Sequence, residues 1–344
     1  MNYNHIKYMR RCIEIASKEI GNTYPNPLVG CVIVYNNEII SEGSHKKYGH
    51  DHAEIDAINN VINKSLLKDS TLYVNLEPCN HHGKTPPCSE IIIENDIKKV
   101  IIGSRDPNDK VKGGGIDFLI MNGVKVEYGI LEKECKDLNK RFYKFHESKR
   151  PYITLKWAES KDNYISPFLQ NEKKENYWIS SNDSKKLSHS FRKEEHSILV
   201  GVQTVIDDNP KLTTRLDIGK NPIRIILDPN GRIPKKSILF KEEGETIVIS
   251  KNLNTEIGNY SKVISDFNLD KILSFLYDIN IQSILVEGGT KTINEFLKHD
   301  LWDGIRVFKS QSNLKKGIKS PKISLDEFDT KLVGNDILYE KYRF

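Results

Sequence analysis

Strand-like and helix-like segments alternate along most of the 344 residues. In the first half, apolar runs at 29–35, 71–76 and 100–103 have the length and the β-branched content of buried strands. Between them, segment 53–66 carries apolar residues at helical spacing. A chain with this pattern buries a central sheet between layers of helices. The sequence therefore predicts an α/β fold whose sheet is largely parallel, with a hairpin turn at Asn36-Asn37.

The length of the chain indicates two domains. A basic, polar stretch from Lys136 to Arg150 ends at Pro151, and a strand-like segment follows. We place the boundary there and expect domains 1–147 and 148–344. In the second half we predict helices at 182–193, 269–277 and 290–298 and strands at 152–158, 197–200, 223–227, 246–249 and 283–286. From Ser310 onward the sequence is polar, Lys-rich and weakly patterned, and it supports few predictions there.

Composition and charge argue against a nucleic-acid-binding protein and against a membrane-spanning one. The chain is 38% hydrophobic and 29% charged, with a net charge of +5 and no dense basic run, which argues against a nucleic-acid partner. No stretch approaches the roughly 18 apolar residues of a membrane span. The first 20 residues are predicted to form an amphipathic helix, and the charges within its apolar pattern argue against a signal peptide. Five cysteines, an odd number in a chain of this size, favour a reducing compartment. We expect a cytoplasmic protein without a membrane partner; whether it forms a homo-oligomer stays open.

His52, Cys79 and Cys88 have the chemistry of a catalytic zinc site. Such a site takes three protein ligands and leaves one position open for water. Cys88 opens a predicted helix, where the positive end of the helix dipole favours a thiolate. Glu54 follows His52 by two residues, so its carboxylate can reach the water and pass a proton to a leaving amine. This His-x-Glu and Pro-Cys…Cys pattern predicts a zinc deaminase.

The spacing of the two cysteines is unusual for that class. Zinc deaminases usually have two residues between them, whereas here eight intervene, 80–87. A structural zinc is the alternative, because His81 or His82 could supply a fourth ligand. The presence of Glu54 and Pro78 favours a catalytic zinc site over a structural one. The other cysteines are expected to be small buried hydrophobic residues: Cys12, Cys31 and Cys135.

Three motifs of the first half occur together in one known family: His52-Ala53-Glu54, Asn26-Pro27-Leu28-Val29-Gly30, and the run from Glu77 to Cys88 that contains HHGKTPPC. With them, this half resembles the bifunctional riboflavin biosynthesis deaminase/reductases. The resemblance implies a cytidine-deaminase-like α/β/α sandwich. It also implies that a substrate pocket is lined by Asn26, His45, His81, Lys84, Asp106 and Asn108.

For most of these residues, the sequence itself gives a reason to expect them in a substrate pocket, apart from the resemblance. The Asn26 amide precedes a strand and could read a pyrimidine edge, while His81 and Lys84 could hold a phosphate. Residues 106–108 follow a predicted strand, at the sheet edge where ligands usually bind. Taken alone, 106–108 would be an ordinary turn, and His45 would be a surface residue.

The second half contains Glu287-Gly288-Gly289-Thr290 between a predicted strand and a predicted helix. Glycines there let the backbone approach a phosphate, and the helix N-terminus supplies N–H donors. Gly-Gly turns are common after strands, and the full GxGxxG of a Rossmann fold is absent. Further segments occur in the same order in the reductase half of the family: 150–160, 178–180, 201–204 and 207–213.

That half resembles the dihydrofolate reductase fold, which binds NADPH without a Rossmann motif. The resemblance implies cofactor contacts from Ala158, Trp178, Thr204, Asp208, Gly289 and Thr290. It implies substrate contacts from Asn176, Arg192, Leu212, Arg215 and Glu287, the two arginines being suited to phosphate. The alternatives are that Trp178 is a core residue and Arg192 a solvated helix charge. Asn163 stands where the family often has glycine, and asparagine accepts the positive φ of a turn.

The resemblance implies two reactions with Zn²⁺ and NADPH as cofactors. The first is the hydrolytic deamination of 2,5-diamino-6-ribosylamino-4(3H)-pyrimidinone 5′-phosphate, and the second reduces the ribosyl chain to ribityl. Two alternatives remain open. One is a nucleoside-type or RNA-type zinc deaminase with a non-catalytic C-terminal binding domain. The other is a zinc-bearing binding protein whose second half is an interaction module.

Overall fold

The computed structural model describes residues 3–81, 86–109, 111–167, 178–251 and 260–343. The chain divides into two compact units, Met1–Lys149 and Arg150–Phe344. Within the described ranges, no helix has both the length and the apolar character needed to cross a membrane.

A five-stranded sheet in the order β2-β1-β3-β4-β5 forms the centre of the first unit. Its strands are β1 (Gly30–Tyr35), β2 (Glu38–Ser44), β3 (Thr71–Leu76), β4 (Lys99–Ser104) and β5 (Lys125–Tyr128). β3, β4 and β5 are parallel, but β1 is antiparallel to both β2 and β3. The expectation of a largely parallel sheet is therefore wrong. The predicted hairpin is confirmed: Asn36 and Asn37 have φ values of 49° and 66°, as a tight turn between antiparallel strands requires.

Helices cover both faces of this sheet. They are α1 (Tyr3–Ser17), α2 (Ala53–Asn60), α3 (Cys88–Glu94), α4 (Gly114–Met121), α5 (Glu132–Leu138) and α6 (Lys140–Ser148). One buried cluster lies under α2, α3 and α4, and another, with Tyr8, Cys12 and Cys135, lies under α1 and α5. This is the expected α/β/α sandwich. Cys12, Cys31 and Cys135 are free and buried, as predicted.

One helix prediction of the first unit changes in the structure, and one stretch without a prediction is helical. The helix expected over 53–66 stops at Asn60, and a separate 3-10 helix, Lys64–Asp69, follows. Asn63 caps that second element, its side chain accepting a hydrogen bond from the backbone N–H of Ser65. The basic stretch from Lys136 to Arg150 is mostly helical, forming the end of α5 and all of α6.

The second unit has a nine-stranded sheet in the order β11-β10-β9-β8-β12-β6-β13-β16-β15. Its strands are β6 (Tyr152–Glu159), β8 (Ser197–Gly201), β9 (Ile223–Leu227), β10 (Thr246–Ser250), β11 (Tyr260–Val263), β12 (Ser283–Val286), β13 (Gly304–Lys309), β15 (Asp329–Val333) and β16 (Asp336–Tyr342). In this order, the seven neighbouring strands that begin with β11 and end with β13 are all parallel. Their carboxyl ends therefore share one edge of the sheet. A separate pair joins β7 (Tyr164–Pro167) to β14 (Gly317–Lys319).

Four helices pack on the nine-stranded sheet: α7 (Asn182–Glu194), α8 (Val202–Asp208), α9 (Leu269–Asp278) and α10 (Thr290–Lys298). α9 and α10 bury their apolar residues in one cluster with Ile153, Leu155 and Trp157 of β6. α7 and α8 cover the opposite face, where Phe191 packs with Phe308 of β13. A short 3-10 helix, Ile238–Phe240, lies between β9 and β10.

The segment beyond Ser310, for which the sequence supports few predictions, has regular structure. This segment forms β14, β15 and β16, and the last two extend the main sheet beyond β13. β15 exposes four of its five residues, so its sequence lacks the alternation by which a strand is recognised. The buried Asp336 carboxylate also accepts hydrogen bonds from the Ser181 N–H and the Ser184 hydroxyl, both at 2.7 Å.

Candidate active sites

His52, Cys79 and Cys88 come together in the first unit. Their ligand atoms lie within 4.8 Å of one another. His52 Nδ1 is 3.2 Å from Cys88 Sγ and 3.5 Å from Cys79 Sγ. Atoms bonded to one tetrahedral zinc at about 2.0–2.3 Å are about 3.3–3.8 Å apart. One imidazole and two thiols at these separations therefore fit a zinc ion.

Local structure explains how three distant residues meet. His52 is the N-cap residue of α2, and Cys88 is the first residue of α3. Cys79 follows β3, and its sulfur lies 3.4 Å from the backbone nitrogen of Cys88. The hydrogen bond with Cys88 and the neighbouring imidazole lower the pKa of the Cys79 thiol, while Cys79 and burial raise the pKa of Cys88. The site thus favours a thiolate at Cys79.

Glu54 is buried beside this cluster, with 3% of its surface exposed. Burial raises the pKa of its carboxyl group, and Cys88 lies within hydrogen-bonding reach of the carboxylate. A raised pKa brings a carboxyl group closer to the pH at which it both takes up and releases protons efficiently. Glu54 therefore combines a buried position beside the cluster with a pKa raised in the direction that proton transfer near neutral pH requires.

His45 and Asn26 border the same cluster. The His45 ring is 5.4 Å from the His52 ring, and only 2% of His45 is exposed, so the alternative of a surface residue is wrong. His45 Nδ1 lies 3.0 Å from the Asp51 carbonyl oxygen, and His45 Nε2 lies 3.0 Å from the Asn26 amide nitrogen. Burial lowers the pKa of His45. A neutral ring that donates from Nδ1 and accepts at Nε2 satisfies both contacts.

Glu77 is a residue whose importance the sequence analysis missed. Its buried carboxylate accepts hydrogen bonds from four backbone N–H groups, those of Asp106, Gly113, Gly115 and Ile116, at 3.2–3.3 Å. A Cβ on Gly115 would lie 1.9 Å from the Pro78 carbonyl oxygen, so only glycine fits there. Glu77 thereby ties the segment that leads to Cys79 to the start of α4. Its place directly before Pro78-Cys79 was the available signal.

The other residues expected in the substrate pocket are Asp106, Asn108, His81 and Lys84, and they differ in burial. Asp106 is 7% exposed, and burial raises the pKa of its carboxyl group to about 7. The charges of Glu77 and Cys79 also raise it, so Asp106 lies near the metal cluster. Its Oδ1 accepts a hydrogen bond from the Asn108 N–H at 2.7 Å, so 106–108 is a turn as well as a candidate pocket segment. His81 is exposed. Lys84 lies outside the described residues.

In the second unit, Arg192 and Glu287 form a buried, two-point ion pair. Arg192 Nε and Nη2 donate to the two Glu287 oxygens at 2.8 Å each, and Nη1 donates to the Thr213 carbonyl at 3.0 Å. The Arg192 side chain is 13% exposed, so the alternative of a solvated helix charge is wrong. Burial raises the pKa of Glu287, but the charges of Arg192 and Lys156 outweigh this effect and lower it to about 2.

Lys156 is a second residue that sequence reasoning missed. Its ammonium lies 4.0 Å from Glu287, and its side chain is 12% exposed. A lysine within the apolar strand β6 was the available signal, since buried charges need a partner. Arg215 is exposed, and its pKa is lowered by partial burial and by the charge of Arg192. Leu212 is buried at a φ of 55°. Asn176 lies outside the described residues.

Two turns meet at the carboxyl edge of this sheet. Gly289, at the N-terminus of α10, donates its N–H to Thr204 Oγ1 at 3.1 Å. A Cβ on Gly288 would lie 2.6 Å from Val200 Cα, so glycine lets the turn after β12 contact the end of β8. The Thr290 hydroxyl donates to the Lys319 carbonyl at 2.7 Å. Its side chain therefore connects α10 to β14.

The other expected cofactor residues are Ala158, Trp178 and Asp208. Ala158 is partly buried on β6, on the face covered by α7. Trp178 is 53% exposed, with the Lys185 ammonium 3.9 Å from its ring centre, so the alternative of a core residue is wrong. Asp208 is exposed at the end of α8. Asn163 has a φ of 64°, as expected for an asparagine replacing a turn glycine.

The site and fold of the first unit define a zinc-binding deaminase of the cytidine-deaminase type, here joined to a second α/β unit. Residues 2–104 match the cytidine and deoxycytidylate deaminase zinc-binding region, and residues 151–310 match the RibD C-terminal domain. The curated riboflavin biosynthesis protein RibD of Aquifex aeolicus is 39% identical, over 94% of this chain and 92% of its own length. That of Actinobacillus pleuropneumoniae is 36% identical over 97% and 94%.

Solved structures agree with these matches. A deaminase/reductase from Thermotoga maritima has a TM-score of 0.88 and 37% identity and covers 99% of both chains. RibD from Acinetobacter baumannii has a TM-score of 0.87 and 29% identity and covers 98% of both chains. The chain belongs to the RibD family of bifunctional deaminase/reductases of riboflavin biosynthesis. A lone deaminase with a non-catalytic second half, or a zinc-bearing binding protein, does not account for these matches.

Proposed function

We propose that the first unit hydrolyses the 2-amino group of 2,5-diamino-6-ribosylamino-4(3H)-pyrimidinone 5′-phosphate. The second unit then reduces the ribosyl chain of the product to ribityl with NADPH. The observation that carries this proposal is the cluster of His52, Cys79 and Cys88 with the Glu54 carboxyl group beside it. The membership of the RibD family supports the order of the two reactions along the chain.

His52, Cys79 and Cys88 would hold the zinc ion, because their donor set is that of catalytic zinc sites. When bound, zinc supplies Lewis-acid activation of the attacking water. Glu54 takes the proton from that water and delivers it to the departing amine. His45 and Asn26 fix each other beside His52, so the Asn26 amide is held in place to bind the pyrimidine.

Substrate binding in the first unit involves the carboxyl edge of its sheet. Asp106 and Asn108 follow β4 and contact the pyrimidine or its ribosyl group. His81 and Lys84 lie in the segment between the two cysteine ligands and hold the phosphate. The four backbone hydrogen bonds to Glu77 keep residues 106–116 in position around this pocket.

The second unit offers a site for NADPH where the turns after β8 and β12 meet. Among the described residues other than its chain neighbours, Thr204 Oγ1 is the one atom that a Cβ on Gly289 would contact, at 3.6 Å. This leaves room for a phosphate at the N-terminus of α10. When bound, NADPH supplies the hydride. Ala158, Trp178, Thr204, Asp208 and Thr290 complete the proposed cofactor contacts.

The sugar phosphate is bound by the polar cluster on the α7 face of the sheet. Glu287 stays ionised because Arg192 and Lys156 face it, and it accepts hydrogen bonds from the substrate. Arg215 is the exposed arginine next to this cluster and binds the phosphate, together with the remaining N–H groups of Arg192. Leu212 and Asn176 are the further proposed substrate contacts.

The decisive experiment incubates the purified, zinc-loaded protein with the diaminopyrimidine nucleotide and NADPH. Ammonia release and loss of the reduced-nicotinamide absorbance are followed together. We expect both signals, in that order. A chelator should stop ammonia release but leave the reduction of already deaminated substrate intact. A zinc-loaded protein that releases no ammonia overturns the first assignment, and one that never oxidises NADPH overturns the second.

A further inference from the structure

Within the part of the chain that the structure describes, three buried side-chain atoms have no hydrogen-bond partner, and two of them belong to one cluster of the second unit. These two are His189 Nδ1 and Thr213 Oγ1. His189 is 2% exposed and Thr213 is 4% exposed. Leaving such an atom unpaired costs about 1–3 kcal/mol. Because folded proteins pair nearly all buried polar groups, two such atoms in one cluster call for a partner that the described residues do not supply.

Both atoms belong to the cluster around Arg192 and Glu287. His189 is one turn before Arg192 on α7, so the two side chains share a helix face. Arg192 Nη1 donates to the carbonyl oxygen of Thr213 itself. Burial, together with the charges of Arg192 and Arg215, lowers the pKa of His189 to about 4, against smaller raising effects of Glu287 and of a hydrogen bond with the Thr213 backbone. The imidazole ring therefore lies near both guanidinium groups and beside Thr213, while its Nδ1 atom has no partner in the described parts of the chain.

The neighbouring side chain of Arg192 does not satisfy the two atoms. Its Nε and Nη2 donate to Glu287, and its Nη1 donates to the Thr213 backbone. A third unpartnered atom, Arg306 Nη1, differs because the rest of that guanidinium is bound by Tyr342 and Glu194. Among the described residues, His189 Nδ1 and Thr213 Oγ1 are therefore the buried atoms without a partner that lie at the proposed substrate site.

The chemistry of the two atoms indicates what they bind. A neutral imidazole has one donor and one acceptor nitrogen, and a threonine hydroxyl both donates and accepts. A sugar hydroxyl has the same double capacity, whereas a phosphate dianion only accepts. The guanidinium of Arg215 nearby suits the phosphate. The pair thus complements a hydroxyl-bearing chain that ends in a phosphate.

We propose that His189 Nδ1 and Thr213 Oγ1 bind hydroxyl groups of the ribosyl chain in the reductase substrate and so determine specificity for it. The inference rests on the proposed function of the second unit, and names two residues that this function does not otherwise require. Both atoms would be paired only when the substrate is bound.

The test compares Thr213→Val, which removes the hydroxyl at nearly constant shape, with Thr213→Ser, which keeps it. The reaction followed is NADPH oxidation with already deaminated substrate. We expect Thr213→Val to raise the KM for this substrate about 5- to 50-fold, with the KM for NADPH unchanged. Thr213→Ser should retain most of the substrate affinity. His189→Leu should behave like Thr213→Val, and His189→Asn, which keeps a polar atom near the Nδ1 position, should lose less.

Thermal unfolding without ligand separates this role from a structural one. Since Thr213→Val removes an unpaired buried hydroxyl, the Tm of the second unit should stay constant or rise by about 2–4 °C. A rise in KM accompanied by a lower Tm overturns the inference, as does an unchanged KM in a protein whose wild type turns over. A wild-type protein that does not oxidise NADPH overturns the proposed function itself, and the inference with it.

Discussion

The two units assemble their sites in different ways. In the first unit, the three metal ligands lie within residues 52–88, and a carboxylate with four backbone partners fixes the surrounding turns. In the second unit, Lys156, Arg192, Thr213 and Glu287 come from four separate parts of the chain, and two buried atoms of their cluster have no partner among the described residues. The first site is thus fixed by short-range sequence and by backbone hydrogen bonds. The second depends on contacts between distant segments.

The largest expected effect is that of Glu54→Gln, which removes the proton shuttle and keeps the side-chain shape. Ammonia release should fall about 10²- to 10⁴-fold, while zinc content and NADPH oxidation with deaminated substrate stay at wild-type levels. Ammonia release and metal content are measured on the same sample. Substantial deaminase activity in this variant would remove Glu54 from the mechanism, and loss of zinc would make it a ligand instead.

Glu287→Gln should affect the second unit alone. It leaves the buried charges of Arg192 and Lys156 without their partner, which should lower the free energy of unfolding of that unit by about 3–5 kcal/mol and abolish NADPH oxidation. Ammonia release should continue. Denaturant unfolding and the two activity assays check this, with Glu327→Gln as the matched control, because Glu327 is paired to Lys341 but is 84% exposed.

The ion pair between Glu287 and Arg192 also predicts how the stability of the second unit changes with pH. The folded pKa of Glu287 is about 2, below an unfolded value of about 4.3. Its contribution to stability is therefore present above pH about 4.3 and is lost as the pH falls to about 2. Acid unfolding of Glu287→Gln should lack this component. A variant with the wild-type acid profile would show that the ion pair contributes little to stability.

The smallest expected effect is that of Glu77→Gln in the first unit. The amide replaces one acceptor oxygen by an NH₂ group that faces backbone N–H donors, which should lower the stability of the unit by about 1–3 kcal/mol. The expected result is a lower Tm of the first unit and weaker deamination, with reduction unchanged. Equal losses in both activities would contradict the view that Glu77 acts only on the metal-site segment.

The sequence predicted the local features well. The clustering of His52, Cys79 and Cys88 and the Asn36-Asn37 hairpin are found in the structure, because residue type and spacing decide them; the role of Glu54 stays a prediction. The helix expected over 182–193 and the strand expected over 283–286 are found as α7 and β12. In the first segment Leu187 and Phe191 lie one helical turn apart, and the second segment is a short apolar run.

The features that the sequence did not predict depend on partners distant in the chain. The antiparallel pairing of β1 with β3 and the strands beyond Ser310 arise from sheet register, which no single segment shows. Glu77 and Lys156 gain their importance from groups 29 or more residues away. The assignments of substrate and cofactor contacts, from Asn26 to Thr290, remain predictions.

The hydrogen bonds from Ser181 and Ser184 to Asp336 connect the last strand of the chain to the beginning of α7. That helix carries both His189 and Arg192. The residues of β16, although polar and poor in pattern, thus help to set where α7 starts. Shortening the protein at this end should therefore disturb a helix more than 140 positions earlier in the chain.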